Sequence, residues 1–460
     1  MVYSSVSFIF YFLPLLLAGY YLMPRLWLKN IFLLLASMVF YAWSEGRFVL
    51  LLLSVGLSAW GYACLIKHTR YKKAVAFIVV ISYVLLLVFY KYPFSFLWRS
   101  QDVPGLNGMA FPLGISFFSF QAISYIIDVY RDNSSYERNP FYVVLYISMF
   151  PQLISGPLVR YNSMSQQFRE RNFCPDRFAG GIKRFITGLA KKVLIANPLG
   201  LLVHDIMQAE TAMLSTPAAW LGIVAFALQL YYDFSGYTDM AIGIGKILGF
   251  ELPENFNHPF ISRSVTEFWR RWHITLSGWL KDYVFMPLSL NLRRLKKYGV
   301  FLSLVITFTL CGIWHSPGWN FLLWGSMHGL LMGIEQLFLA KQLEKFRVLS
   351  HIYTLFVLLL SFVFVASGTP DEALTYFGRL FSFATAATYG VGNFVARQHW
   401  VLMAVGILCC LPVQKIFQRL TINYSNYTHT AESLLLQVLL LLSLMGVIAE
   451  TYNPFLYFKF

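Results

Sequence analysis

Three of the nine histidines hold positions from which an imidazole can do chemistry. His315 ends the run Cys311-Gly312-Ile313-Trp314-His315 and is followed at once by Ser316, Pro317 and Gly318. The apolar run before it, 299–314, reads as short for a full crossing, and Pro317 and Gly318 then break the helix. The ring is therefore expected at membrane depth beside irregular backbone. An ionisable group there is costly and faces a cavity or a partner, so function is the first reading and a packed, carbonyl-bonded ring the second. His328, in Trp324-Gly325-Ser326-Met327-His328, lies inside the next apolar helix, where a helix–helix hydrogen bond explains it equally well. His273, after Phe268-Trp269-Arg270-Arg271-Trp272, also fits an ordinary interfacial histidine.

An imidazole titrates near neutrality, so it can take a proton from an attacking hydroxyl and hand it to a leaving group. Metal chemistry has less support: none of the three histidines stands i, i+4 from another, and no H-E-x-x-H occurs. Cys311 precedes His315 by four residues, and a Cys–His pair can generate a thiolate nucleophile. A small residue packing a membrane helix is the preferred reading of that cysteine. Asp233 and Asp239, in Tyr231-Tyr232-Asp233-Phe234-Ser235-Gly236-Tyr237-Thr238-Asp239, are costly in an embedded helix unless paired. They are expected to pair with cations of the segment 263–297, in a structural role.

These residues need elements to hold them, and composition says which. The chain has 460 residues, of which 58% are hydrophobic and only 12% charged. Charged residues make up about a quarter of a soluble domain. Apolar runs near the length of a bilayer crossing recur throughout. The expectation is an all-α polytopic membrane protein with about 11–12 apolar segments, at roughly 6–24, 30–43, 48–66, 74–93, 109–130, 193–207, 217–232, 299–314, 317–340, 352–368, 398–414 and 432–449. No repeat or soluble domain is visible, so 1–460 reads as one membrane domain: N-terminal helices to about 130, a core at 139–340 and C-terminal helices from 345. The first segment lacks a basic n-region and a small-residue cleavage site, and is expected to be retained as a span. The five cysteines form no spaced pair.

Net charge is +15, and the cations sit in short loops, which indicates topology and not nucleic acid. Arg25 with Lys29, the stretch 67–73, Arg131 and the stretch 160–192 are all expected on the cytosolic side. A single straight span at 139–158 would put Arg131 and 160–192 on opposite sides. That segment, ending Ser155-Gly156-Pro157, is therefore expected to be re-entrant or broken, and protected by protein or a water-filled cavity. The segment 263–297 alternates cations with Phe268, Trp269, Trp272, Trp279 and Tyr283. It reads as an amphipathic or re-entrant element at the cytosolic interface.

Taken together, the motifs resemble the membrane-bound O-acyltransferase family, in its bacterial polysaccharide branch. The likeness rests on Phe150-Pro151-Gln152-Leu153-Ile154-Ser155-Gly156-Pro157, on 233–240, and on Leu252-Pro253-Glu254-Asn255-Phe256. It rests also on Phe268 through Ser277, on Trp314-His315, on Trp324-Gly325 through His328, and on Tyr452-Asn453-Pro454-Phe455. The resemblance implies broken helices around a central tunnel, with His315 essential near the midplane and His273 facing it. It implies supporting places for His328, Trp314, Asp233 and Asp239. An acyl thioester, acetyl-CoA, would enter from the cytosol, its phosphates held by Arg270, Arg271 and Lys281. Tryptophans 269, 272, 279, 314, 319 and 324 would line a passage that excludes water. No metal and no resident cofactor are implied. A separate periplasmic or extracellular acetyltransferase would receive the acetyl group at the bacterial cytoplasmic membrane. Alginate is the first acceptor to expect, then cellulose or peptidoglycan. D-alanyl transfer to teichoic acid is the alternative within the family, and a transporter or scaffold without chemistry the alternative outside it. Ser316 departs from the family's usual glycine, although Pro317 and Gly318 still supply the break.

Overall fold

In the structure, a computed structural model, each expected apolar segment is helical over most of its described length; the described residues are 1–91, 112–132, 135–383, 389–412 and 425–449. The C-terminal motif 452–455 lies outside them. No strand forms among the described residues, which hold one isolated bridge between Leu214 and Tyr389. Six helical runs are long and apolar enough to cross a membrane: Leu26–His68, Lys72–Lys91, Pro175–Gln208, Lys297–His315, Arg347–Ala366 and Thr430–Ala449. The other segments fall short for physical reasons. Helix Ile115–Arg131 has 17 residues and helix Trp319–Ile334 has 16. Helix Thr216–Ile247 has 32, well beyond the expected end at 232, and carries Asp233, Asp239 and Lys246.

One expectation needs correcting. The helix that ends at His315 is not short: it runs Lys297–His315 over 19 residues. At 1.5 Å per residue, about 27 Å separates its two ends along the axis. His315 is thus its last residue, at the opposite end of the helix from Lys297.

By contacts the chain forms two compact units, Met1–Gly188 with Tyr237–Glu254, and Leu189–Gly236 with Asn255–Phe460. In the first, the segment 139–158 enters and returns. Helix Pro140–Ser148 stops where Met149 turns extended, a short helix Phe150–Leu153 follows, and Ser155 adopts φ +57° before the chain returns to Arg160. The two ends meet: Tyr161 Oη donates to Glu137 Oε2 at 2.5 Å, Asn162 Nδ2 donates to Ser135 Oγ at 2.9 Å, and Arg169 pairs with Glu137. Lys67 Nζ lies 4.4 Å from the Tyr136 ring, and Asn30 Nδ2 donates to Phe168 O at 2.8 Å. These contacts bring together residues in or next to the four basic stretches within this unit: Asn30 with Phe168, Lys67 with Tyr136, and Glu137 with Arg169. Backbone groups freed by the break find partners, as buried polar groups must. Tyr3 Oη donates to Phe150 O, Ser37 Oγ accepts from Phe150 N, and Tyr146 Oη donates to Val159 O.

In the second unit, helices Lys297–His315 and Trp319–Ile334 form a tight antiparallel hairpin. Gly312 and Gly325 let the backbones touch: a Cβ on Gly325 would stand 2.9 Å from Gly312 Cα and also strike the Phe308 carbonyl. This close approach sets where His315, Trp324 and His328 point. Overpacking of this kind costs about 1–3 kcal/mol. Gly325→Ala should therefore lower the thermal midpoint in detergent, whereas Gly318→Ala, with nothing within 4 Å of its added Cβ, should not. Equal midpoints for the two variants would remove the hairpin contact as a determinant of the fold.

Candidate active site

The segment 263–297 becomes a chain of short helices, Val265–Arg271, Ile274–Leu280 and Met286–Asn291. Its first helix is held by an unusual number of caps. Ser264 Oγ accepts from Glu267 N at 2.9 Å, and Glu267 Oε2 accepts from Arg263 N at 2.9 Å. The buried Glu335 carboxylate, from the far end of the hairpin, accepts from Val265 N at 2.6 Å, Thr266 N at 2.9 Å and Thr266 Oγ1 at 2.7 Å. A carboxylate at a helix N-terminus satisfies orphan N–H groups and complements the dipole. So anchored, the helix delivers Trp269 and Trp272 to the interior, and its exit forces His273 into a left-handed conformation at φ +45°. A non-glycine residue there is held by its surroundings against a local cost.

What holds His273 is Asn255. Its Oδ1 accepts from Thr275 N at 3.2 Å and Thr275 Oγ1 at 2.9 Å, which fixes which end of the amide carries oxygen. His273 Nδ1 lies 3.2 Å from the same oxygen and must therefore donate. The neutral ring then keeps its lone pair on Nε2. Phe234 packs edge-on against this ring, with centroids 4.7 Å apart.

His273 and His315 line one cavity of about 40 Å³, walled by apolar side chains that include Phe234, Trp272, Phe321 and Trp324. Among the described residues no carboxylate lines it. The His315 ring is buried and sits edge-on to Trp324, centroids 5.3 Å apart, and 4.5 Å from Trp314. Pro317 and Gly318, which end its helix, turn the chain so that Phe321 stacks on the other side at 6.3 Å. His328 stands behind Trp324 at 5.0 Å and is not in the lining. Trp269 Nε1 donates to His328 Nδ1 at 3.2 Å, which is the helix–helix hydrogen bond weighed for that histidine. Cys311 is buried and does not line the cavity.

The remaining expected residues separate. Asp233 pairs with Lys192 at 2.6 Å, both buried, and Asp239 pairs with Arg184 at 2.6 Å. Their partners thus come from the helical run Pro175–Gln208 and not from 263–297, correcting the expectation. Of the three proposed phosphate ligands, Arg271 is half-buried and Lys281 is exposed, as is Arg270. With Arg263, Arg270 lines a polar pocket of about 380 Å³ beside Glu335. Arg271 is engaged by Glu267 at 2.9 Å, and Lys281 lies outside that pocket. Trp319 is exposed, while Trp279 packs on Tyr283 at 5.2 Å. Among the described residues no three of His, Cys, Asp and Glu gather as metal ligands would. Sequence reasoning quoted Asn255 within a motif without a role, and counted Lys192 as a topology charge. A lysine inside an otherwise apolar helical period was the signal available for it.

Two imidazoles on one narrow, mostly apolar cavity, one of them with its tautomer set, can move a proton on and off an oxygen held between them. Comparison with known proteins points to acyl transfer. The profile of the membrane-bound O-acyltransferase family matches residues 115–378, which include His273, His315 and His328. The chain is 33% identical to a probable alginate O-acetylase of Pseudomonas putida over 100% of both chains. It is 33% identical to a peptidoglycan O-acetyltransferase of Helicobacter pylori, over 81% of this chain and 78% of the relative. A teichoic acid D-alanyltransferase of Bacillus subtilis is 31% identical over 56% of this chain and 67% of its own length. With a buried histidine pair, apolar helices that can cross a bilayer and this coverage, the chain is a multi-pass membrane enzyme that belongs to the membrane-bound O-acyltransferase family.

Proposed function

We propose that the enzyme moves an acetyl group from acetyl-CoA toward hydroxyls of an exported polysaccharide, with His315 as general base. The observation that carries this reading is the His273–His315 cavity. About 40 Å³ holds roughly three water-sized centres, the scale of a two-carbon acyl group. Among the described residues its lining offers no carboxylate to an ammonium, which argues against a D-alanyl group. Alginate is the first acceptor to test and peptidoglycan the second, following the names of the relatives.

In this mechanism His315 accepts the proton of the attacking hydroxyl as its oxygen bonds to the thioester carbon. The C–S bond then breaks, and the proton passes to the departing thiolate. His273, lone pair on Nε2 and Nδ1 tied to Asn255, accepts a hydrogen bond and orients the hydroxyl. Trp324 lines the cavity and carries a buried Nε1–H without an acceptor among the described residues, a donor suited to the thioester oxygen. The donor enters at the Lys297 end of the hairpin, where Glu335 and the Arg263–Arg270 pocket lie. That end is the cytosolic one by the charge rule, in the bacterial cytoplasmic membrane. A separate acetyltransferase on the other face completes delivery to the polymer.

The test is turnover by the purified enzyme in vesicles, with thiol release measured for a series of acyl thioesters. Acetyl-CoA should be used about tenfold or more faster than butyryl-CoA, since methylenes beyond a fixed cavity are penalised on that scale. Equal use of both, or use of a D-alanyl thioester alone, would overturn the reading. The donor pocket makes a further prediction. Arg270→Gln should raise KM for acetyl-CoA several-fold with little change in kcat, as loss of uniform binding does. Arg271→Gln, already engaged by Glu267, should raise KM less; the reverse order would place the phosphates elsewhere.

A further inference from the structure

The first unit holds a cluster of cations that the acyl-transfer reading does not use. Lys29, Arg171, Arg177 and Lys246 surround a small pocket together with Tyr20 and Tyr21. Among the described residues, only Arg177 of the four has a carboxylate partner, Glu251 at 2.9 Å. Arg171 is half-buried, and the loss of hydration pulls its guanidinium below the ordinary range. Its donors reach only neutral acceptors: Tyr20 Oη at 3.0 Å, Gln167 O at 2.7 Å and Asn30 Oδ1 at 2.8 Å. Its face lies 3.9 Å from the Phe250 ring centroid. Lys29 Nζ rests over Tyr20 and Tyr21, at 5.2 and 5.5 Å. Lys246 stands in the last turn of helix Thr216–Ile247, where carbonyls could offset a cation. Those of Ile247 and Leu248 are instead taken by the hydroxyls of Tyr21 and Tyr20, at 2.5 and 2.7 Å.

A half-buried charge without a counter-charge among the described residues is costly, and two further cations with no ion pair among those residues crowd the same pocket. We propose that this pocket binds a phosphate group, presented by a phospholipid headgroup or by a small soluble phosphate. The guanidinium and the two ammonium groups supply the charge-assisted donors that phosphate oxygens accept. A volume of about 20 Å³ selects a compact oxyanion over a bulky ligand. Placement favours the lipid as the source. Lys29 and Lys246 stand at helix ends beside two tyrosines, on the basic side of the unit. There, cytoplasmic-leaflet headgroups meet interfacial aromatic and cationic side chains. The site belongs to a different unit from Arg263 and Arg270, so it is distinct from the donor pocket.

The experiment compares the full-length protein with the double variant Lys29→Gln/Lys246→Gln, because Arg171→Gln risks unfolding a half-buried group. In one arm, inorganic phosphate is titrated into detergent-solubilised protein at constant ionic strength, and the thermal midpoint is followed. In the other, protein is placed in phosphatidylcholine vesicles with and without phosphatidylglycerol, and the lipid retained on extraction is weighed by native mass spectrometry. A saturable response in either arm, weakened about tenfold or more in the double variant, supports the site. The responding arm names the source: phosphatidylglycerol retention alone means a lipid, phosphate titration alone means a soluble ligand, and both mean a site that takes either. No response in either arm, or the same response from the double variant, overturns it.

Discussion

His315→Gln should leave the protein in the membrane at wild-type amounts and lower acetyl transfer by about 10²–10⁴, the usual worth of a positioned general base. Glutamine keeps much of the ring's volume and polarity but cannot carry a proton, so the cavity beside Trp324 and Phe321 should survive while turnover does not. His315→Ala should be equally inactive. Cys311→Ser provides the contrast. Its thiol is buried, does not line the cavity and stands four residues before His315, so the change should cost stability of about 1–3 kcal/mol at most and little activity. The decisive comparison measures thiol release from acetyl-CoA with purified variants at matched amounts. An active His315→Gln, or a folded but dead Cys311→Ser with an acetyl group trapped on sulfur in the wild type, would replace the general-base mechanism with a thioester intermediate.

Much of the architecture was legible because bilayer physics leaves few choices. Apolar run length marked the helices, and charge parity alone required 139–158 to return to the side it came from. The contacts of Glu137 with Tyr161 and Arg169 bear this out. The place of His315 at a helix end was legible from the break that Ser316-Pro317-Gly318 makes in the helical pattern. Long-range pairing was not legible. Asp239 meets Arg184, 55 residues away, and Glu335 caps a helix that starts 70 residues earlier. No local pattern encodes which cation meets which acid, so the nearest basic segment was a natural but mistaken choice for Asp233 and Asp239. The role of Asn255 was hidden for the same reason. An amide that fixes a tautomer looks in sequence like any loop asparagine, and only its bonds to Thr275 and His273 disclose it.

Lys192→Met should be among the most destabilising single substitutions in the second unit. The Lys192 ammonium and the Asp233 carboxylate are both almost wholly shielded from solvent and 2.6 Å apart. Removing one partner of a buried pair costs about 3–5 kcal/mol, because the other charge is left uncompensated. Asp233 is flanked on its helix by Leu230 and Phe234, which line the cavity, so a shift there reaches the wall that faces His273. The double variant Lys192→Met/Asp233→Leu should recover much of the loss, since two apolar groups of similar volume often replace a buried ion pair at little net cost. Thermal midpoints of wild type, both single variants and the double variant complete the cycle. Turnover per folded molecule should stay within a few-fold of wild type in the double variant, because neither residue touches the cavity. A double variant as unstable as the single would mean that the charges do more than neutralise each other. A stable double variant with turnover lost to the level of His315→Gln would move Asp233 from support into the reaction itself.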